Sequence, residues 1–480
     1  VELDRERISK IVEEVVRRYT SGEGPAALAT APAPSPVGRG RGIFATGEEC
    51  VQAARTAFNQ LAELSLEKRG AILEAMRQTG LAHAREMAEM AVAETGLGRP
   101  EDKVQKNILV CRKTPGLEDL TPVAYSGDRG LSLVELAPFG VICSVTPTTN
   151  PVATIINNGI SMVAAGNSVV FNPHPRAKNC CLRMIGLLNE AIVKAGGPEN
   201  LLTSVAEPTV ETSQALMQAR GIDCLVVTGG PAVVRQAMTC GKKVIAAGPG
   251  NPPVVVDETA DLAQAARDVV AGASFDNNIM CTCEKEVFIV DSVFRPFKDK
   301  LLAQNCYELT PRQLEELTRI IFQPPPVGST RPVLNRDLIG KYASEIAKRI
   351  GLDLPRETRL LVAETPPDHP LVMNEQMMPV LPLVRARHVD EAIQMAVRAE
   401  GRRNHTAVVH SKNIEVLHRF AKVSNANVFV KNGPNYAGLG FGGEGHTSMT
   451  IAGATGEGIT SARTFTRSRR CTLVDYFRIV

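Results

Sequence analysis

Three absences narrow the reading of this 480-residue chain before any motif is considered. No block of like charge stands out beyond a short run from Arg467 to Arg470, and 54 Lys plus Arg are balanced by 51 Asp plus Glu, a net charge of +3. That balance speaks against a nucleic-acid partner. No signal peptide and no apolar span long enough to cross a bilayer is visible, which predicts no membrane association. The 11 cysteines follow no regular spacing, so free thiols in a reducing, cytoplasmic setting are expected instead of a disulfide framework. Also missing is the glycine fingerprint GxGxxG after any predicted strand, so an ordinary dinucleotide loop is not expected.

At 480 residues the chain is long enough for two or three domains with clefts between them. Near the start, Ile8, Ile11, Val12, Val15, Val16 and Tyr19 recur at helical spacing. They predict an amphipathic helix within residues 1–20, followed by an Ala/Pro/Gly linker over 21–44. A helix this short gains stability mainly by burying its stripe, so docking on a partner is expected. From Val51 to Gly96 the pattern is helical, and from Val141 onward short apolar runs alternate with helices. The runs at Val141–Val145, Ser168–Phe171, Leu202–Val205, Cys224–Val227 and Pro253–Val256 predict a doubly wound parallel sheet covered on both faces. A second α/β block is expected from about Ala271 to Val430.

Two strand-to-helix junctions have the chemistry to hold an anion: "VTPTTNPVAT", where Asn150 and Pro151 open a helix, and "VVTGGPAVV", where Gly229, Gly230 and Pro231 do. Helix N-termini present unpaired N–H groups and partial positive charge. Asn before Pro is equally a plain cap and first-turn pair, and the residues alone leave both readings open. The glycine-dense tail "GLGFGGEGHTSM" lacks the Lys and hydroxyl of a P-loop and reads as a close-packed loop walling a site.

In "SFDNNIMCTCEKEV" two cysteines stand one residue apart. A zinc site needs further Cys or His ligands at matching spacing, and none of the 8 His is close in sequence to Cys283. A thioredoxin-type pair would read Cys-x-x-Cys at a helix start. One reactive thiol on a loop between a helix and a strand suits nucleophilic catalysis, although a lone thiol is more often a packing residue.

Taken together, "FDNNIMCTCEKEV", "SVTPTTNP", "AAGNSVVFNPHP" and "NEQMMPVLP" resemble the aldehyde dehydrogenase superfamily, and within it the CoA-acylating propionaldehyde and acetaldehyde dehydrogenases of bacterial microcompartments. The resemblance implies an aldehyde-dehydrogenase-like α/β fold: a doubly wound Rossmann-type cofactor domain, a second α/β catalytic domain, and a β-hairpin/C-terminal oligomerisation arm. It implies Cys281 as nucleophile, three residues before Glu284, with Cys283 a neighbour, and Asn150 as oxyanion donor. For the dinucleotide it points to Thr146, Pro147, Asn172, Pro173, His174 and Gly229, and it matches Glu375 to a residue contacting the nicotinamide ribose. NAD is favoured, with NADP as the alternative and Arg176 as the residue to pair with a 2′-phosphate. No metal is implied.

Hydrolytic relatives carry a general-base Glu in a Glu-x-Gly-Gly run; the corresponding stretch here is "AAGPGNPP", with Ala246 at that place. Water needs such a base, whereas a thiol with a pKa near about 8.5 does not. CoA is therefore the expected acyl acceptor and propionaldehyde the first expected substrate, acetaldehyde the next. The domains implied are 45–121 with 138–270 for the dinucleotide and CoA, 271–454 for catalysis, and 122–137 with 455–480 for the arm. The arm implies a homodimer or homotetramer. The N-terminal helix resembles peptides that dock enzymes on microcompartment shell or cargo, which places the enzyme in the cytoplasm inside a microcompartment. A direct check of the register is mutation: Cys281→Ala is expected to abolish acyl transfer, and Cys283→Ala to leave most of it, both followed by acyl-CoA formation.

Overall fold

A computed structural model describes residues 41–324 and 333–479. The amphipathic helix expected within 1–20, and most of the linker, lie outside the described residues. The linker's last residues do not belong to a tether. Ile43–Phe44 forms a short strand paired in parallel with Ser204 and Val205, because two consecutive apolar residues at a sheet edge gain both ladder bonds and burial.

Six parallel strands make the first sheet, in the order Ile43–Phe44, Leu202–Val205, Ser168–Pro173, Val141–Thr146, Cys224–Thr228 and Lys243–Ala247. Their side chains are almost all buried, which explains why they read as continuous apolar runs. The chain leaves Val141–Thr146 toward one edge of the sheet and later returns to its other side at Cys224–Thr228. This reversal is the topological switch point, where a doubly wound sheet opens a crevice beyond its strand ends. The two junctions expected to suit an anion, Thr146–Pro151 and Gly229–Pro231, flank it. Helices Leu66–Ala82, Pro100–Lys113, Pro151–Ala164 and Lys178–Lys194 bury one face of this sheet in a continuous apolar core.

The second sheet has seven parallel strands, ordered Cys306–Glu308, Leu360–Glu364, Val380–Ala386, Glu286–Val290, Pro253–Val256, Thr406–His410 and Val428–Lys431. This corrects one boundary. Pro253–Val256 was expected in the cofactor domain, but it pairs with Glu286–Ile289 on one side and Val408–His410 on the other. An apolar run carries no information about which of two parallel sheets it joins; the turn "GPGNP" at Gly248–Pro252 decides it by carrying the chain across.

The third sheet is antiparallel and small: Val123–Gly127, Gly130–Pro138 and Thr466–Val474, with Val134 opposite Arg470. It is the hairpin-plus-tail arm, with its C-terminal limit shifted. Residues 455–465 belong to the body, since Ala462 and Phe465 sit in the first sheet's core and Asn167 Nδ2 donates to the Phe465 carbonyl at 2.9 Å.

Helix Pro100–Lys113 ties the two halves together. Pro100 occupies its first turn, and Gly98 just before it, at φ +80°, brings the chain against the segment Phe275–Asn278. A Cβ on Gly98 would lie 2.0 Å from Asp276 Oδ1. Gly98→Ala combines a left-handed backbone with this overlap, and is expected to destabilise by at least about 2 kcal/mol. A fall in the urea midpoint at unchanged m-value checks it.

Candidate active site

The cysteine loop is built around a buried lysine. Phe275–Asn278 forms a short turn in which Asp276, Asn277 and Asn278 all have positive φ, at 48°, 54° and 64°. Asn and Asp adopt this region at less cost than other non-glycine residues, which accounts for the residue types found there. The turn folds the chain back over Lys285, whose Nζ donates to the Asn278 carbonyl (2.8 Å), Asn278 Oδ1 (2.5 Å) and the Met280 carbonyl (3.1 Å). Asn278 Nδ2 in turn donates to the carbonyls of Ala273 and Glu284. A fully buried ammonium with three acceptors is satisfied, and it fixes the loop from inside.

Two further grips hold the loop's ends. Tyr436 and Phe441 pack on Phe275, with ring centroids 5.2 and 6.2 Å away. Asn435 donates its backbone N–H (2.7 Å) and Nδ2 (2.5 Å) to Glu284. Burial nevertheless pushes the Glu284 carboxyl up to about 8. The start of the glycine-rich tail is thus a clamp on the cysteine loop.

Cys281 is partly exposed, while Cys283 is fully buried with its thiol turned toward the Phe275 carbonyl. Gly250 packs on the Cys281 backbone so closely that a Cβ there would sit 2.3 Å from its carbonyl oxygen and 3.0 Å from the His405 ring. Packing against neighbours pushes the Cys281 thiol up to about 12, and the Glu375 carboxylate adds to the shift; Lys285 and Lys106 oppose it. Glu375 itself is raised by burial, with Lys285 and the Gly250 amide favouring its charged form.

Asn150 opens helix Pro151–Ala164, yet its side chain makes no capping bond. Its Oδ1 instead accepts from Lys106 Nζ at 2.5 Å, while its Nδ2 has only a 3.4 Å contact to Thr149 Oγ1. The cofactor candidates lie at the ends of three neighbouring strands of the first sheet: Thr146 ending one with Pro147 just after it, Asn172 and Pro173 ending the next with His174 just after, and Gly229 just after the third. Thr146 Oγ1 is buried without a hydrogen-bond partner. Asn172 Oδ1 accepts from Thr212 Oγ1 at 3.3 Å, and His174 Nδ1 accepts the Arg176 N–H. Nothing stands within 4 Å of a Cβ placed on Gly230 or Gly248, so the crevice is open where a dinucleotide would run. Glu375 and Lys285 act on Cys281 from the second half of the chain.

The sequence reading missed several polar groups here. Lys103 and Lys106, both buried, meet Asp276 Oδ2. Their signal was available: Asp102, Lys103, Lys106 and Asn107 occupy the phase of helix Pro100–Lys113 that its buried apolar residues also occupy. His405 gave no local signal. It is buried beside Gly250 with Nε2 unpartnered, and burial holds its imidazole down at about 4. Among the described residues no cluster of three or more potential ligands could hold a metal ion, and no helix is long and apolar enough to cross a membrane.

A family profile described as the aldehyde dehydrogenase family matches residues 45–311. The chain is 50% identical to an acetaldehyde dehydrogenase (acetylating) of Escherichia coli over 479 residues, covering 100% of both chains. The chain belongs to the aldehyde dehydrogenase family. Within it, this aldehyde dehydrogenase is also 46% identical to a propanal dehydrogenase (CoA-propanoylating) of Salmonella typhimurium, covering 92% of this chain and 93% of the relative. A Rhodopseudomonas palustris propionaldehyde dehydrogenase, solved with bound CoA and an acylated cysteine, superposes with a TM-score of 0.88 at 44% identity, covering 91% of this chain and 98% of that one. These relatives place the chain among the family's CoA-acylating members.

The charge around Cys281 makes its reactivity in the cofactor-free protein predictable. With the thiol raised and Glu375 contributing, iodoacetamide labelling of Cys281 is expected to climb through pH 7–10 without a plateau. Glu375→Gln removes a negative neighbour and is expected to speed labelling at pH 8. Peptide mapping separates this site from the exposed Cys471.

Proposed function

We propose that this aldehyde dehydrogenase oxidises two- and three-carbon aldehydes with NAD and passes the acyl group from Cys281 to CoA. The observation that carries the reading is a partly exposed Cys281 in a chain that has a buried alanine, Ala246, at the position the resemblance matches to the carboxylate a hydrolytic enzyme needs. The Ala246 N–H is itself bound to Thr455 Oγ1, so the strand there is closed. The carboxylate acting on Cys281 from elsewhere is Glu375, which the resemblance assigns to the cofactor.

The Cys281 thiolate, its proton released to water at this partly exposed site, attacks the aldehyde carbonyl, and the oxygen that becomes negative is held by Asn150 Nδ2 and the Cys281 N–H, donors pointed at developing charge. Asn150 suits the task because Lys106 Nζ occupies its Oδ1, while its Nδ2 has only a 3.4 Å contact to Thr149 Oγ1. NAD, when bound, would supply the hydride acceptor for this oxidation, and this chain's part is to keep the oxidised acyl group on Cys281 as a thioester. Glu375 orients the ribose; the open Gly229 turn, Thr146 with its unpaired hydroxyl, Pro147, Asn172, Pro173 and His174 line the rest of the dinucleotide path. Arg176 gives one guanidinium N–H to the Thr95 carbonyl at 3.4 Å and keeps further N–H donors for a 2′-phosphate, so NAD is the first choice and NADP the alternative. The CoA thiol then attacks the thioester, needing no base of the hydrolytic kind.

The names of the relatives support acetaldehyde and propionaldehyde equally well as a class. The sequence reading puts propionaldehyde first, while the relative of greater identity is named for acetaldehyde. One methylene in an apolar pocket is worth about 1–3 kcal/mol, so both are expected to turn over. Val123, Tyr125, Leu473, Val474, Tyr476 and Phe477 are exposed on and beside the three-stranded arm, which supports a homodimer or homotetramer joined there. A relative solved from a bacterial microcompartment supports residence in such a compartment, with the amphipathic sequence of residues 1–20 as the docking element.

NADH absorbance tests the reaction. Without CoA, formation is expected to stop at about one equivalent per active site, and with CoA to continue. Steady turnover in the absence of any thiol would overturn transfer to CoA.

A further inference from the structure

Helix Pro100–Lys113 reaches both halves of the reaction centre with two lysines one turn apart. Lys103 Nζ donates to the Thr149 carbonyl and to Asp276 Oδ2, each at 3.0 Å. Lys106 Nζ donates to Asn150 Oδ1 at 2.5 Å and also binds Asp276 Oδ2. Asp276 lies five residues before Cys281 in the same loop, and its Oδ1 accepts the Arg99 N–H at 2.7 Å while its own N–H donates to Asp102 Oδ2 at 2.8 Å. All four ionic side chains, Asp102, Lys103, Lys106 and Asp276, are buried.

We infer that Lys106 is the positioning residue of the oxyanion site: it fixes the Asn150 amide so that Nδ2, not Oδ1, faces the substrate oxygen, and it sets the distance between that amide and Cys281. The inference rests on Asn150 and Cys281 having the roles proposed above. An unheld asparagine can present either end of its amide, since oxygen and NH₂ are nearly isosteric. A cation on Oδ1 forbids the flipped arrangement, which would bring NH₂ against NH₃⁺. It also draws electron density toward Oδ1 and makes the N–H groups better donors. Because the same ammonium holds Asp276, the donor and the nucleophile loop share one anchor, and 1 Å of drift between them is what oxyanion stabilisation tolerates least.

The test is a double-mutant cycle between Lys106→Met and Asn150→Ala in the full chain, read as the single-turnover rate of NADH formation with saturating aldehyde and NAD. Asn150→Ala alone is expected to slow this rate about 100- to 1,000-fold. Lys106→Met alone is expected to slow it at least about tenfold, with the KM for NAD within about threefold of wild type. In the Asn150→Ala background, Lys106→Met is expected to add less than a further threefold, because its effect passes through the missing amide.

A full-size loss from Lys106→Met on top of Asn150→Ala would overturn the inference, as would a wild-type rate in Lys106→Met. A wild-type rate in Asn150→Ala would instead overturn the site reading beneath it. Removing Lys106 alone leaves Asp276 with one fewer buried partner. Should that variant not fold, the same cycle is run with Asp276→Asn as its reference and Lys106→Met/Asp276→Asn as its variant, and the same two outcomes decide.

Discussion

The Asp276 carboxylate is the point on which the proposed reaction centre hangs. Three donors converge on it: the Arg99 backbone N–H and the ammonium groups of Lys103 and Lys106. Burying a carboxylate is costly unless it is paired and hydrogen-bonded, and here every contact comes from one stretch of the first half, Arg99–Lys106. The loop that carries Cys281 belongs by sequence to the second sheet. Through Asp276 it is tied to the first sheet's helices, so the crevice at the switch point and the thiol become parts of a single site.

The rest of the loop follows the same logic of buried polar groups used as fasteners. Lys285 fills its centre, with three oxygen acceptors compensating the ammonium. Glu284 is gripped by Asn435, and Phe275 by Tyr436 and Phe441. Three successive residues with positive φ are strained individually; they persist because the surrounding bonds over-determine the path. Such a loop holds Cys281 at one place without a regular helix or strand beneath it. The conformational cost is met in folding, before substrate arrives, which is how a site gains pre-organised donors.

Glycine marks the places where backbone must approach what a side chain would block. Gly98 is one, facing Asp276, and Gly250 another, against the Cys281 carbonyl. Neither was singled out from the sequence, since one chain does not distinguish a glycine needed for approach from one needed for a turn. Lys103 and Lys106 were hidden for a different reason. Charged residues at the core phase of a helix read as a weak amphipathic pattern until the carboxylate they serve is located, and Asp276 lies about 170 residues further along the chain.

Local patterns were enough to announce the parallel strands at Val141–Thr146, Ser168–Pro173, Leu202–Val205 and Cys224–Thr228, because a strand buried on both faces must be apolar throughout. Separating Cys281 from Cys283 took the resemblance to the family motif, in which the nucleophile stands three residues before a Glu, here Glu284. Membership of sheets was not legible: Pro253–Val256 has the same apolar character as the first sheet's strands and joins the second. Nor was the use of the Asn150 side chain, for Asn before Pro suits an ordinary cap. Sequence by itself determined which residues have the right chemistry and which segments are buried. Only the tertiary structure decided which amide is left free and which charge holds it, because those depend on partners brought together by packing across the two sheets.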